Sequence, residues 1–468
     1  MQKQLFLYLF SIVSAATFSQ TILVSQNLNL QKNSSHHQIY TTQNTDKEIF
    51  NFVSDKDSLF VFQYNSAIFL KQKTTIARPD KSYIRIVGNQ FDFANNPIIY
   101  WASEDYMKIL QQTFNLEKKV TAQVETRLQF KDETLLTSFN FGNNFYLVSN
   151  PKNQQKLKFY IFSERGLTEK FFDFDGFQTA TPFGKITKFS TLFQDYPFDI
   201  VEPKMQQPLL AVLSPIKIYT HKKNELVLTI DQPSQTQVFL LNFENDSIIE
   251  KTFAKDSIER TSLSNSFLHQ NTLYQVKTNS KKLVFQAYDF TSGTKLNHFE
   301  ATESQEISFK NSDLISQTGQ KRPVSITKTK KFLRRLSSCD VGISVYQTPN
   351  HRLVTIGGAR DIASPGGVFA GITIGILGVA SGSADFYADD FLYATNLQTN
   401  YFETLFDDNF NHLKVEQKRL ASDDYSAFLG QNRIDAHTYI PYKDYFVMTY
   451  FDVKMQQLVM RKFEDYIE

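Results

Sequence analysis

The chain has almost nothing to hold it together covalently. It contains one cysteine, Cys339, so no intramolecular disulfide can form and packing alone must secure the fold. Tryptophan is equally scarce, with Trp101 as its single occurrence. Neither sign of charge is in excess: 50 Lys and Arg against 48 Asp and Glu leave a net charge of +2, so no nucleic-acid partner is expected. Local signatures of chemistry are missing as well. The eight histidines form no His-Glu-x-x-His pattern, and a lone cysteine cannot make Cys-x-x-Cys, so no zinc site is expected. There is no Gly-x-Ser-x-Gly elbow, and Gly357 and Gly358 lead into no phosphate-cradling loop. No metal and no cofactor is expected, and no catalytic residue is identified. Sites assembled from distant loops leave no such motif, so the absence does not exclude an enzyme.

The N-terminal apolar run, Leu5 to Val13, is too short to cross a ~30 Å hydrocarbon core as a helix. Lys3 precedes it, and the small residues Ser14, Ala15, Ala16, Thr17 and Ser19 follow it. These are the three parts of a secretory signal, with cleavage expected after Ala16 or Ser19. The mature chain is therefore expected in the periplasm, at the cell surface or outside the cell. No cysteine follows the signal to accept a lipid, which argues against a lipoprotein.

What the chain has in abundance is aromatic residues, 14% of the total with 44 Phe. Such residues suit pleated, half-buried surfaces and favour strands. A unit recurs: a strand, a polar turn opened by Asn, Asp or Ser, then a second strand ending near an aromatic residue. Its markers are Asn65, Asn115, Ser163, Asn242, Asp289, Asn396 and Asp452, at steps of 50, 48, 79, 47, 107 and 56 residues. Four of these steps approach the ~40–50 residues of a four-stranded propeller blade, and the two long ones leave room for insertions or a missed unit. Further strands are expected just upstream of several hairpins, at Phe145–Ser149, Glu225–Asp231, Leu273–Thr278 and Leu353–Ile356. The expected fold is all-β: a β-propeller of about seven blades in one domain (residues 20–468) with an atypical insertion at 313–384. Tandem β-sandwich domains with evenly spaced hairpins are the alternative. Residues Thr21 to Leu28 are expected to supply the outer strand of the C-terminal blade, leaving no edge unpaired.

The turn Tyr288-Asp289-Phe290-Thr291-Ser292-Gly293 resembles the outer hairpin of pyrroloquinoline-quinone-type and YVTN-type propeller repeats. The resemblance implies a repeat propeller. With Trp101 alone, no unit carries the tryptophan docking pattern of the quinone-binding proteins, so it does not imply that cofactor.

Two stretches depart from the repeat. Between Asp313 and Asp340 there is no acid, while Lys321, Arg322, Lys328, Lys330, Lys331, Arg334 and Arg335 supply seven positive charges. Lys330, Lys331, Arg334 and Arg335 are candidate contacts for an anionic surface, lipid head groups or acidic polysaccharide; the competing reading is a solvated linker. Phe332, Leu333 and Leu336 would form the apolar edge of a short helical turn. From Ile362 to Ala384 there is no charge at all, and six of the 17 glycines fall there. Gly367, Gly371 and Gly375 recur every four residues, so on a helix they make a smooth stripe beside Phe369 and Ile372. These five are candidate partner or membrane contacts. The same residues also read as a buried strand or glycine-rich crossover in the core.

Adjacent acids occur at Asp389 and Asp390, Asp407 and Asp408, and Asp423 and Asp424, with Asp173 and Asp175 separated by one residue. A glycosidase needs two carboxyl groups ~5–10 Å apart across a cleft, and adjacent residues on a strand face opposite ways. The functional expectation is an exported binding or scaffold protein whose partner is an envelope protein, a polysaccharide or a membrane surface. The alternatives are an exported carbohydrate-active hydrolase using acids such as Asp390 or Asp408, and an envelope component held to the membrane by residues 362–384.

Overall fold

The computed structural model describes residues 21–31, 37–202, 204–258, 262–319, 321–348, 350–362, 396–432, 434 and 436–466. Strands take up 56% of the described residues and helix 8%. Among the described residues there are seven sheets of four or five strands and one two-stranded hairpin. The chain divides into two compact units: residues 1–78 with 418–468, and residues 79–417.

The larger unit holds five of the sheets. The second sheet (Arg85–Phe91, Pro97–Ala102, Lys108–Asn115, Val120–Arg127) and the third (Glu133–Phe141, Asn144–Pro151, Lys156–Ser163, Gly166–Asp173) are unbroken antiparallel meanders. So is the fifth (Leu263–His269, Thr272–Thr278, Lys282–Asp289, Lys295–Thr302). The fourth (Ile216–Lys222, Glu225–Asp231, Gln235–Asn242, Ser247–Ala254) adds Phe198–Val201, paired parallel to its first strand. The sixth (Asp340–Gln347, Arg352–Asp361, Leu397–Phe406) takes its outer strand, Leu314–Thr318, from upstream, and Val324–Ile326 pairs beyond that.

The smaller unit holds the first sheet (Gln38–Gln43, Ile49–Ser54, Ser58–Tyr64, Leu70–Ala77) and the seventh (His437–Tyr442, Tyr445–Asp452, Gln457–Phe463). The fourth strand of the seventh sheet is Thr21–Asn27, antiparallel to Gln457–Phe463, as the sequence led one to expect. Four-strand units following one another in up-and-down order, with the last completed by the first strand of the chain, are the blade organisation of a β-propeller. Tandem sandwiches do not describe this order.

Burial explains why each strand sits where it does. The second strands Ile49–Ser54, Pro97–Ala102 and Thr272–Thr278 are buried at every residue, so these sheets are covered on both faces. The outer strands Leu70–Ala77 and Val120–Arg127 are mostly exposed and carry Lys, Thr, Gln and Glu. Thr21–Asn27 has that same exposed pattern. The recurring turn residues are capping groups. Asn65 Oδ1 accepts from the Ala67 and Phe69 amides at 3.0 and 2.9 Å, and Asp289 Oδ1 accepts from the Ser292 amide at 2.7 Å. Asn115, Asn242 and Asp452 accept in the same way from Lys118, Glu244 and Lys454. A side chain that stands in for a backbone turn acceptor is why these residues mark the period.

At the sixth sheet the marker is displaced. Asn396 does not open an outer hairpin there; its carbonyl accepts from the Ile362 amide at 2.9 Å, and Leu397 pairs with Asp361. The capping residue is Asp407, whose Oδ1 accepts from the Asn409 and Asn411 amides at 2.9 and 2.8 Å. The residues just before Asn396, 391–395, lie outside the described residues.

The long steps hold insertions. Residues 174–215 contain the hairpin Thr179–Ala180/Ile186–Thr187, helix α1 (Phe189–Asp195), the parallel strand and a 3-10 turn, Leu209–Val212. Residues 313–340, expected to interrupt the strands, instead supply the outer strands of the sixth sheet and helix α2 (Thr329–Leu336). Phe332, Leu333 and Leu336 are buried along one edge of α2 as its spacing requires. In the smaller unit, helix α3 (Ala421–Gln431) packs Tyr425 and Phe428 against Phe463.

Candidate functional site

The most deeply buried ion pairs among the described residues lie inside the larger unit, between the fourth and fifth sheets. Lys217 follows Ile216 at the start of one strand, and Asp231 ends the next, Glu225–Asp231. Antiparallel pairing of these strands sets Ile216 against Ile230, which brings Lys217 and Asp231 to the same end of the sheet. Lys255 follows the outer strand, and Asn265 and Ser266 face them from the fifth sheet.

Asp231 is fully buried and saturated with donors. Oδ1 accepts from Lys255 Nζ at 2.7 Å and from the Thr236 hydroxyl at 2.8 Å. Oδ2 accepts from the Ser266 amide at 2.9 Å and its hydroxyl at 3.0 Å, with Lys217 Nζ at 3.6 Å. Both ammonium groups are equally committed. Lys217 donates to Ser214 O and to Asn265 Oδ1 at 2.6 Å, and Lys255 to Gln232 O at 3.0 Å and Ser264 Oγ at 3.1 Å. Burial works to raise the Asp231 carboxyl, but the two lysines and their hydrogen bonds outweigh it and hold the group below its ordinary range. Burial draws Lys217 and Lys255 down, partly offset by Asp231. These donors and acceptors are spent within the fourth sheet and on tying it to Ser264, Asn265 and Ser266 of the fifth, so this cluster is a lock.

Beside it runs the inserted segment 197–214. Asp199 Oδ2 accepts from the Ser214 amide at 2.7 Å, and the Ser214 hydroxyl donates to Pro197 O. The segment then follows the sixth sheet, where the Ser344 hydroxyl donates to Gln207 O at 2.6 Å. Gly342 and Gly357 are cross-strand partners, and Leu209 and Leu213 lie on the flat patch they make. A Cβ on Gly357 would sit 2.4 Å from Asn400 O and 2.8 Å from Leu209 Cδ2, so only glycine fits. Asp199 and Glu202 keep some accessible surface, yet each is set among protein atoms on nearly all sides. Burial pushes both carboxyls up to about 7, with Lys217 and the Ser214 amide opposing it at Asp199. Among the described residues, no side chain pairs with the Glu202 carboxyl.

The ionisable residues here, Lys217, Asp231, Lys255, Asp199 and Glu202, were not singled out by motif. Their only trace in the sequence is an isolated charge in an apolar strand, as in Pro215-Ile216-Lys217-Ile218-Tyr219. Of the residues that were, Lys330, Lys331 and Arg334 lie exposed on α2, with Arg335 half-buried, and Lys330 pairs with Glu303 at 3.3 Å. Gly367, Gly371, Gly375, Phe369 and Ile372 lie outside the described residues, as do Asp389 and Asp390.

The remaining acid pairs make local contacts. Asp173 accepts from the Asp175 amide at 3.0 Å in a turn, and Asp408 pairs with Arg352 at 3.3 Å. Asp423 reaches back to the Leu420 amide at 2.8 Å to cap α3, and Asp424 pairs with Arg419. Cys339 is buried, and burial pushes its thiol up to about 11. Among the described residues no group of three or more His, Cys, Asp or Glu could hold a metal, and no helix is long and apolar enough to cross a membrane.

No protein-family model matches the chain, nor does any curated protein. Similarity to solved structures is remote. The WD40 domain of SCAP from fission yeast is 9% identical, with a TM-score of 0.32 over 95% of this chain and 97% of that one. The β-propeller domain of Cps50 (Swd1) from Myceliophteria thermophila is 7% identical, with a TM-score of 0.32 over 93% and 98%. The Dos1 propeller is 8% identical, with a TM-score of 0.29 over 90% and 77%. Superpositions this loose add nothing to the fold argument, which rests on the strand pairings above.

Proposed function

We propose that this protein is an exported binding scaffold whose propeller-like blades present inserted connections. The observation that carries this reading is the saturated cluster at Asp231: the most deeply buried ion pairs among the described residues are spent on rigidity, next to a long insertion. Export is supported by the secretory features of residues 1–19 and by the position of the first strand. Thr21–Asn27 begins after both candidate cleavage points, so cleavage would leave the seventh sheet whole. N-terminal sequencing of exported material, from a host making the full chain, is expected to read from residue 17 or residue 20. Intact Met1 in a soluble cytoplasmic fraction would overturn the reading.

A carbohydrate-active hydrolase is the second reading, and Asp408 is the acid it would use. Its side chain is 83% exposed beside Arg352, open to a substrate. Asp408→Asn should abolish hydrolysis of acidic or neutral glycans if this reading holds.

A further inference from the structure

Two connections of the larger unit emerge at the same end. The beginnings of three strands converge on Leu213: the Asn265 side chain donates to its carbonyl at 3.0 Å, and a Cβ on Gly342 would lie 2.7 Å from its methyl group. Strand Ile216–Lys222 starts three residues later. The hairpin Thr179–Thr187 sits at this end, because Gly184 abuts Pro233, in the turn just after Asp231, and the Asp231 amide donates to Pro215 O at 2.8 Å. Helix α2 sits there too. Leu336 lies against Gly358, which pairs with Val341 at the start of strand Asp340–Gln347.

Each connection holds out an apolar side chain beside cations. Phe183 and Ile186 at the hairpin tip are 62% and 79% exposed, with Lys185 between them. Val324, just before α2, is 62% exposed, and Lys331 and Arg334 project from the helix. The hairpin turn is held by Gly184 donating to Thr181 O at 2.8 Å and Thr181 donating to Lys185 O at 2.9 Å, so the tip is a fixed finger. We infer that this end of the larger unit docks on an anionic lipid surface, with Phe183, Ile186 and Val324 entering the interface and Lys185, Lys331 and Arg334 meeting the head groups. Exposed apolar tips flanked by cations are what an interfacial membrane contact requires. An acidic polysaccharide would satisfy the cations but leave the aliphatic tips Ile186 and Val324 in water. The inference goes beyond the scaffold reading and holds whether or not the chain is exported.

The test is co-sedimentation of the full chain with phosphatidylcholine vesicles, with and without phosphatidylglycerol. Binding is expected only with the anionic lipid and should weaken as salt is raised. Phe183→Ser with Ile186→Ser, and separately Lys331→Glu with Arg334→Glu, should each reduce it at least tenfold. Melting temperatures should not change, because these side chains are exposed. Absence of binding to the anionic vesicles overturns the inference. So does a tip variant that binds like the wild type while the charge variant alone fails, with dextran sulfate competing, which would mark a simple polyanion contact.

Discussion

The third and seventh sheets have the same four-strand plan and reach it in different ways. In the third, Glu133–Phe141 to Gly166–Asp173 run in sequence and each strand pairs with the next. In the seventh, three strands come from the C-terminal end and the fourth from Thr21–Asn27, more than 400 residues earlier. The sixth is intermediate, borrowing Leu314–Thr318 from before its own first strand. A local hairpin needs little loop closure, whereas a borrowed strand pays for closing a long loop and must be rewarded by what it covers. The first strand covers the edge of Gln457–Phe463 and leads into Leu28 and Leu30, both buried.

That contrast can be tested by breaking it. Deleting residues 21–30 should cost the most, about 5 kcal/mol or more, since it exposes a strand edge and empties two leucine sites. Denaturant unfolding measures the loss; an unchanged midpoint would mean that the borrowed strand contributes nothing. Within the contiguous sheets, Asp231→Ala should cost about 3–5 kcal/mol, because two buried ammonium groups lose their counter-charge. Asp231→Asn should cost less, and a loss no larger than for an exposed aspartate would contradict the lock. Asp289→Ala and Asp452→Ala remove the same kind of aspartate cap from the outer turn of a contiguous sheet and from the middle turn of a borrowed one. Each should cost about 1 kcal/mol, so the comparison isolates the turn from strand origin.

A smaller effect depends on pH. Glu202 has a folded pKa of about 7, above its unfolded value, so its neutral form is the stable one. Its contribution is fully present below the unfolded pKa and is lost as pH rises through about 7. His269 and His437 act oppositely: burial lowers both to about 4, so the stability they contribute above their unfolded pKa is lost as pH falls through about 4. The wild-type profile mixes these trends, and Glu202→Gln separates them. The variant should melt higher than the wild type at pH 8 and together with it at pH 5. An equal difference at both pH values would place the effect outside this carboxyl.

The smallest expected effect concerns residues 363–395. Asp361 and Leu397 pair directly and the Ile362 amide bonds Asn396 O, so the sheet closes on either side of this segment. Replacing it with a four-residue turn should change stability by less than about 1 kcal/mol. A variant that cannot fold would make the segment core, the competing reading of its glycines.

The hairpins were legible because their determinants are local. Aromatic and β-branched runs, punctuated by Asn, Asp and Gly that cap the next turn, located the outer hairpins of five sheets, the middle hairpin of the seventh, and the upstream strands Phe145–Ser149, Glu225–Asp231, Leu273–Thr278 and Leu353–Ile356. The pattern failed at the sixth sheet, where Asp407 caps the turn but the strand it should lead into comes from upstream, so no hairpin stands in the sequence to be found. Composition alone required a fold without disulfides, and the spacing of Phe332, Leu333 and Leu336 was enough to define the buried edge of α2. The ion lock needed the tertiary structure. Lys217, Asp231 and Lys255 are 14 and 24 residues apart and obey no motif, and Ser266 and Asn265 come from another sheet. A buried charge is tolerable only where several distant groups meet to satisfy it, and that meeting is a property of how sheets pack, which residue order along one strand does not encode.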